Sequence, residues 1–137
     1  MVNLTRRAVA AAWFAVCALV GSAAMYLVPS LQRDAVTLVL YQGYPALSAW
    51  LAGYLVGHRV LNARSLPRAA LVGIGVVAVA FLIFASLYVI TLSAVSRSQV
   101  QPAALIASVL TIGVVMTAPV LVPLGAAAGG GLVVLRR

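Results

Sequence analysis

The chain has 137 residues, of which 65% are hydrophobic and 7% are charged, and its formal net charge is +8 at pH 7. A soluble domain carries about 25% charged residues, so the composition predicts an integral membrane protein. All nine basic residues are arginines, and there is one acidic residue (Asp34), one histidine and one cysteine, which excludes a lysine Schiff base, a relay of buried carboxylates and an internal disulfide.

The apolar segments predict helices, because the alternating pattern of a membrane β-barrel is absent and backbone polar groups in lipid must bond within their own segment. We therefore predict an all-α polytopic membrane protein with a single transmembrane domain. Its four transmembrane helices are expected at residues 8–28, 35–57, 69–93 and 103–135.

The first span follows Arg6 and Arg7 and is long enough to cross a hydrocarbon core about 30 Å thick. A basic start, an apolar run and the small residues 21–24 are also typical of a secretory signal peptide. We favour a retained span, which Pro29 would end.

The second span is the most polar of the four, and Pro45 is expected to bend it. An amide in hydrocarbon needs a partner, so Gln42 should face protein or water. Either a small polar cavity or an ordinary hydrogen bond between helices satisfies this requirement, and the second is favoured. The candidate polar residues inside the membrane are Tyr41, Gln42, Tyr44 and Ser48 in this span and Thr117 in the last.

Small residues recur at four-residue spacing in two spans, which places them on one helix face and permits close helix packing. The candidate packing residues are Ala49, Gly53 and Gly57 in the second span and Gly125 and Gly129 in the last. Contact within the chain is favoured, and a seam between two copies is the alternative.

A basic polar segment, residues 58–68, separates the two halves of the chain and carries Arg59, Arg64 and Arg68. These three arginines are candidate contacts for anionic lipids. The arginines divide seven against two between the predicted sides of the membrane. The side with more arginines is normally cytoplasmic, so both termini are predicted in the cytoplasm.

The last span, 103–135, is longer than a bilayer requires, and a bend or local unwinding is expected between Thr117 and Pro123. The halves also share faint similarities: Arg7-Ala8 and Arg68-Ala69 each open a span. Two similar helical hairpins are therefore possible, although chance resemblance in so restricted an alphabet is an equal alternative.

No acid–base pair, metal cluster or activated nucleophile is evident. The sequence predicts a non-catalytic structural or accessory subunit of the cell (inner) membrane, with no cofactor or metal. Its expected partners are the bilayer with its anionic lipids, and other membrane subunits or copies of itself. The alternatives are a small homo-oligomeric transporter or channel, and a protein whose basic cytoplasmic face binds anionic lipid or, less favoured, nucleic acid.

Overall fold

The structure, a computed structural model, describes residues 2–23, 39–96 and 102–134. The described chain is 94% helical and contains no β-strand, which confirms the all-α prediction. A π-helical turn, Val39–Gly43, leads directly into the second α-helix. The helices are α1 (Val2–Ala23), α2 (Tyr44–Leu55), the one-turn α3 (His58–Leu61), α4 (Leu66–Ser96) and α5 (Pro102–Val134).

Two helical segments, Leu4–Ala23 and Leu66–Thr91, are long and apolar enough to cross a membrane. They overlap the first and third predicted spans, and residues 24–28 of the first lie outside the described residues. In α5, the segment Ala118–Val134 is apolar over a shorter length. The second predicted span starts at residue 35, outside the described residues, so α2 represents only its later part.

The helices extend beyond the predicted spans at the end of the molecule where α1 begins. Helix α1 starts at Val2 rather than residue 8 and thus includes Arg6 and Arg7, and α4 starts at Leu66 rather than residue 69. The predicted spans were taken from apolar composition, which indicates only the part of a helix suited to lipid. The helix can extend past that part through polar residues that are compatible with helical backbone angles. Pro67 is also compatible with the helix, because a proline in the first turn loses no intrahelical hydrogen bond.

The basic segment 58–68 contains a short helix, which its polar composition did not predict. Helix α3 occupies its first part and packs against all four longer helices. The side chains of Val60 and Leu61 are 0% and 8% exposed. These two apolar residues anchor the segment across the end of the molecule, which explains why a polar connection adopts a fixed position.

Pro45 stands in the first turn of α2, where the π-helical turn passes directly into the α-helix, and the bend expected there stays a prediction. A proline has no N–H group, and its ring clashes with the carbonyl four residues earlier, here that of Tyr41. The wider π-helical turn is a recognised way to insert an irregularity into a helix, and we attribute it to this proline.

Helix α5 continues through both Pro119 and Pro123 without a break. The local unwinding expected between Thr117 and Pro123 is therefore absent, while a bend within the continuous helix remains a prediction. Membrane helices tolerate proline when neighbouring groups satisfy the freed carbonyls. The side chain of Thr117 lies outside the described part of the structure.

The most extensive helix contact is between α4 and α5. The two helices are antiparallel and meet at glycine residues. A Cβ atom added to Gly73 would lie 2.9 Å from the Cα atom of Gly129 and would collide with the carbonyl oxygen of Gly125. In turn, a Cβ on Gly129 would collide with the carbonyl oxygen of Ala69. The two backbones are thus in direct contact, at a separation that only glycine permits.

A second antiparallel pair, α1 and α2, uses the predicted small-residue row. A Cβ atom on Gly53 would lie 2.9 Å from the Cα atom of Ala11 and 3.0 Å from the carbonyl oxygen of Ala10. A Cβ on Gly57 would lie 3.0 Å from that of Ala10. The row therefore faces α1 of the same chain.

Two further contacts connect these pairs. Helix α2 packs against α4, and the indole Nε1 of Trp13 in α1 donates a hydrogen bond to the carbonyl oxygen of Ala128 in α5, at 2.9 Å. The Trp13 ring also lies 3.3 Å from a Cβ built on Gly131. The core that results consists mainly of small side chains: Ala10, Ala49, Ala52, Ala69, Val76 and Ala128, together with Phe14, Val60, Leu61 and Leu132.

The α4–α5 contact gives a matched pair of substitutions. Gly73→Ala should lower stability, because overpacking costs about 1–3 kcal/mol and exceeds the gain in helix propensity of up to about 1 kcal/mol. Gly75→Ala should raise stability by up to that gain, since no atom lies within 4 Å of its added Cβ. Thermal unfolding in detergent measures both, and a Gly73→Ala protein as stable as Gly75→Ala would contradict the contact.

Candidate functional site

The polar residues between α2 and α4 begin with Tyr44, in the first turn of α2. Its hydroxyl lies 2.8 Å from the hydroxyl of Thr91 in α4. Thr91 donates its own proton to the carbonyl oxygen of Leu87, at 2.9 Å. Tyr44 is therefore the donor to Thr91, and the two hydroxyls form a short chain of hydrogen bonds that ends on the α4 backbone.

Ser48 lies one turn after Tyr44, on the same face of α2. It is 1% exposed, and its hydroxyl has no hydrogen-bond partner among the described residues. Four other helical hydroxyls each bond the carbonyl oxygen four residues earlier: those of Ser86, Thr91, Ser108 and Thr111. A buried polar group without a partner is rare and needs an explanation, so Ser48 is the most unusual polar residue of the described interior.

The other predicted polar residues do not join this row. Gln42 is half-buried in the π-helical turn, two residues before Tyr44 and so on a different side of the helix. The side chain of Tyr41 lies outside the described residues, as does that of Thr117. The structure therefore brings together Tyr44 and Ser48 from the predicted set and adds Thr91, which the sequence analysis missed.

Every described arginine lies at one end of the molecule. Arg6 and Arg7 are near the start of α1, Arg59 is in α3, and Arg64 and Arg68 flank the start of α4. The antiparallel contacts place these helix ends together, because Gly57 at the end of α2 meets Ala10 near the start of α1. We call this the basic end.

Arg7 has a partner within the chain, whereas the other four arginines of the basic end, Arg6 included, are exposed. The guanidinium carbon of Arg7 lies 5.9 Å from the ring centre of Tyr54, within the range of a cation–π interaction. Tyr54 itself stacks on Trp50, with 5.8 Å between ring centres. The side chains of Arg59, Arg64 and Arg68 are exposed.

His58 differs from the solvated surface residue that its position suggests. It is half-buried at the start of α3, and its Nδ1 atom is buried with no hydrogen-bond partner among the described residues. Within the described ranges, no group of three or more histidine, cysteine or acidic side chains is placed to hold a metal ion.

Sequence reasoning identified the packing glycines but not their partners. Gly125 and Gly129 meet Gly73 and Ala69 of α4, and these two are themselves spaced by four residues. The same small-residue pattern thus occurs on both helices, and a search for complementary rows would have found it. The hydrogen bond of Trp13 to the α5 backbone has no local sequence signal.

No protein-family model matches this sequence, and no curated protein or solved structure shows significant similarity to it.

The hydroxyl of Ser48 leads to a prediction about stability. Ser48→Ala should raise the free energy of unfolding by about 1 kcal/mol or more, because it removes a buried hydroxyl that has no hydrogen-bond partner among the described residues. The matched control is Ser86→Ala, whose hydroxyl is exposed and bonded to the Leu82 carbonyl, and which should change stability little. Thermal unfolding in detergent would contradict the prediction if Ser48→Ala were clearly less stable than Ser86→Ala.

Proposed function

We propose that this chain is a non-catalytic integral membrane protein that crosses the cell (inner) membrane four times and serves as a structural or accessory subunit of a larger membrane assembly. The proposed topology places both termini and the basic end in the cytoplasm. It is supported by the five described arginines at one end, since basic residues concentrate on the cytoplasmic side.

The sides of the helices support insertion in lipid. Large apolar side chains are exposed along them, including Leu71, Leu82 and Ile90 of α4, which are 70%, 51% and 65% exposed. Such a surface is unfavourable in water and suits a hydrocarbon environment.

The observation that carries the accessory role is the exposed face of the first part of α5. Among the side chains that the structure describes there, the exposed ones are small: Ala103, Ala104, Ala107, Ser108 and Thr111. Lipid gives no advantage to small side chains, whereas a neighbouring helix does, because small residues permit close approach. Farther along the same helix, Val120, Val122 and Leu124 are exposed, as expected of a lipid contact.

The test is the native mass of the protein extracted in mild detergent, with its stoichiometric subunits identified. We expect a complex with another membrane protein. The double substitution Ala104→Leu/Ala107→Leu should release the chain from it without lowering its own thermal stability, because both positions are exposed. The control Val120→Leu, on the part of α5 that faces lipid, should leave the complex intact.

A wild-type chain that is monomeric and free of partners would refute the accessory role. A pure homo-oligomer would instead support the second candidate, a small transporter or channel formed by several copies. The unpartnered, buried hydroxyl of Ser48 favours this second candidate, because costly polar groups inside a membrane often belong to a transport path.

A further inference from the structure

The basic end contains no acidic side chain among the residues that the structure describes. The chain has nine arginines and a single acidic side chain, Asp34, so the side chains of this protein can neutralise at most one arginine. Arg7 is oriented toward the ring of Tyr54. The exposed arginines Arg59, Arg64 and Arg68 are therefore available to an anion from outside the chain.

The structure places the backbones of these three arginines within one short segment at the end of the molecule. Arg59 belongs to α3, whose buried Val60 and Leu61 anchor it to the other helices. Arg68 lies in the first turn of α4, and only a short turn containing Arg64 separates the two helices. A backbone anchored in this way loses less entropy on binding than a flexible loop would.

Exposed leucines indicate which kind of anion the basic end meets. Leu66, beside these arginines, is 45% exposed, and Leu4 on α1 is 65% exposed at the same end. Apolar side chains next to basic ones suit the boundary between acyl chains and headgroups, whereas binding to the phosphate backbone of a nucleic acid is mainly electrostatic.

We propose that Arg59, Arg64 and Arg68 bind the phosphate groups of anionic phospholipids in the cytoplasmic leaflet. The guanidinium group offers paired N–H donors that match two phosphate oxygens. The proposal rests on the membrane topology above and goes beyond it, because it assigns a ligand class to three residues that orientation alone does not require to bind anything.

The test is a titration of the detergent-purified protein with phosphatidylglycerol or with phosphatidylcholine of the same acyl chains, read as bound lipid by native mass spectrometry. We expect tighter binding of phosphatidylglycerol, weakened by added salt. Each single change to glutamine should reduce this preference about fivefold, and Arg59→Gln/Arg64→Gln/Arg68→Gln together on the order of 100-fold.

Two controls separate charge from position. Arg59→Lys/Arg64→Lys/Arg68→Lys keeps the charge and should retain part of the preference, since only the paired geometry is lost. Arg33→Gln/Arg97→Gln removes charge from the predicted opposite side and should leave the preference unchanged. Three outcomes would overturn the proposal. The wild-type protein could bind the two lipids equally, the triple glutamine variant could keep the wild-type preference, or a DNA oligonucleotide could displace phosphatidylglycerol. Carbonate extraction tests membrane insertion separately, so that a failure of the topology is distinguishable from a failure of lipid binding.

Discussion

The direct contact between the α4 and α5 backbones is the constraint on which the rest of the structure depends. Gly73 faces Gly125 and Gly129 at a separation that leaves no room for a Cβ atom. Lipid is as apolar as the side chains, so burial alone does not drive membrane helices together, and close packing must supply the attraction. The facing glycines of α4 and α5 allow this close packing. Gly53 allows a similar close approach between α1 and α2.

This packing also determines where the polar groups lie. Antiparallel pairs bring the start of α1, the end of α2 and the start of α4 to one end, and α3 closes that end with Val60 and Leu61. The arginines gather there without any acidic partner in the described chain, while the interior keeps a single unpartnered hydroxyl, that of Ser48. A tightly packed interior with a strongly charged end fits a protein that acts through its surfaces, and the exposed small-residue face of α5 is the surface that supports the proposed accessory role.

Sequence periodicity predicted the helical class and placed two membrane-length helices, because apolar composition is a local property. It also placed Gly53 on a packing face, since four-residue spacing fixes the side of a helix. It did not reveal that Gly73 is the partner of Gly125, because pairing between helices depends on their relative position. Helix α3 was missed for a similar reason: Val60 and Leu61 are two apolar residues in a basic segment, and only the tertiary contacts show that they are buried. The bond from Tyr44 to Thr91 likewise joins residues far apart in the chain.

The orientation of the basic end is tested most directly by cysteine labelling. In a Cys17→Ala background, Ser65→Cys introduces a thiol in the exposed turn before α4, and Ser98→Cys introduces one in the connection that precedes α5. With a reagent that does not cross the membrane, intact cells should label the protein carrying Ser98→Cys, and the protein carrying Ser65→Cys should react only after the membrane is opened. Labelling of both from the same side would contradict a membrane-spanning bundle whose basic end faces the cytoplasm.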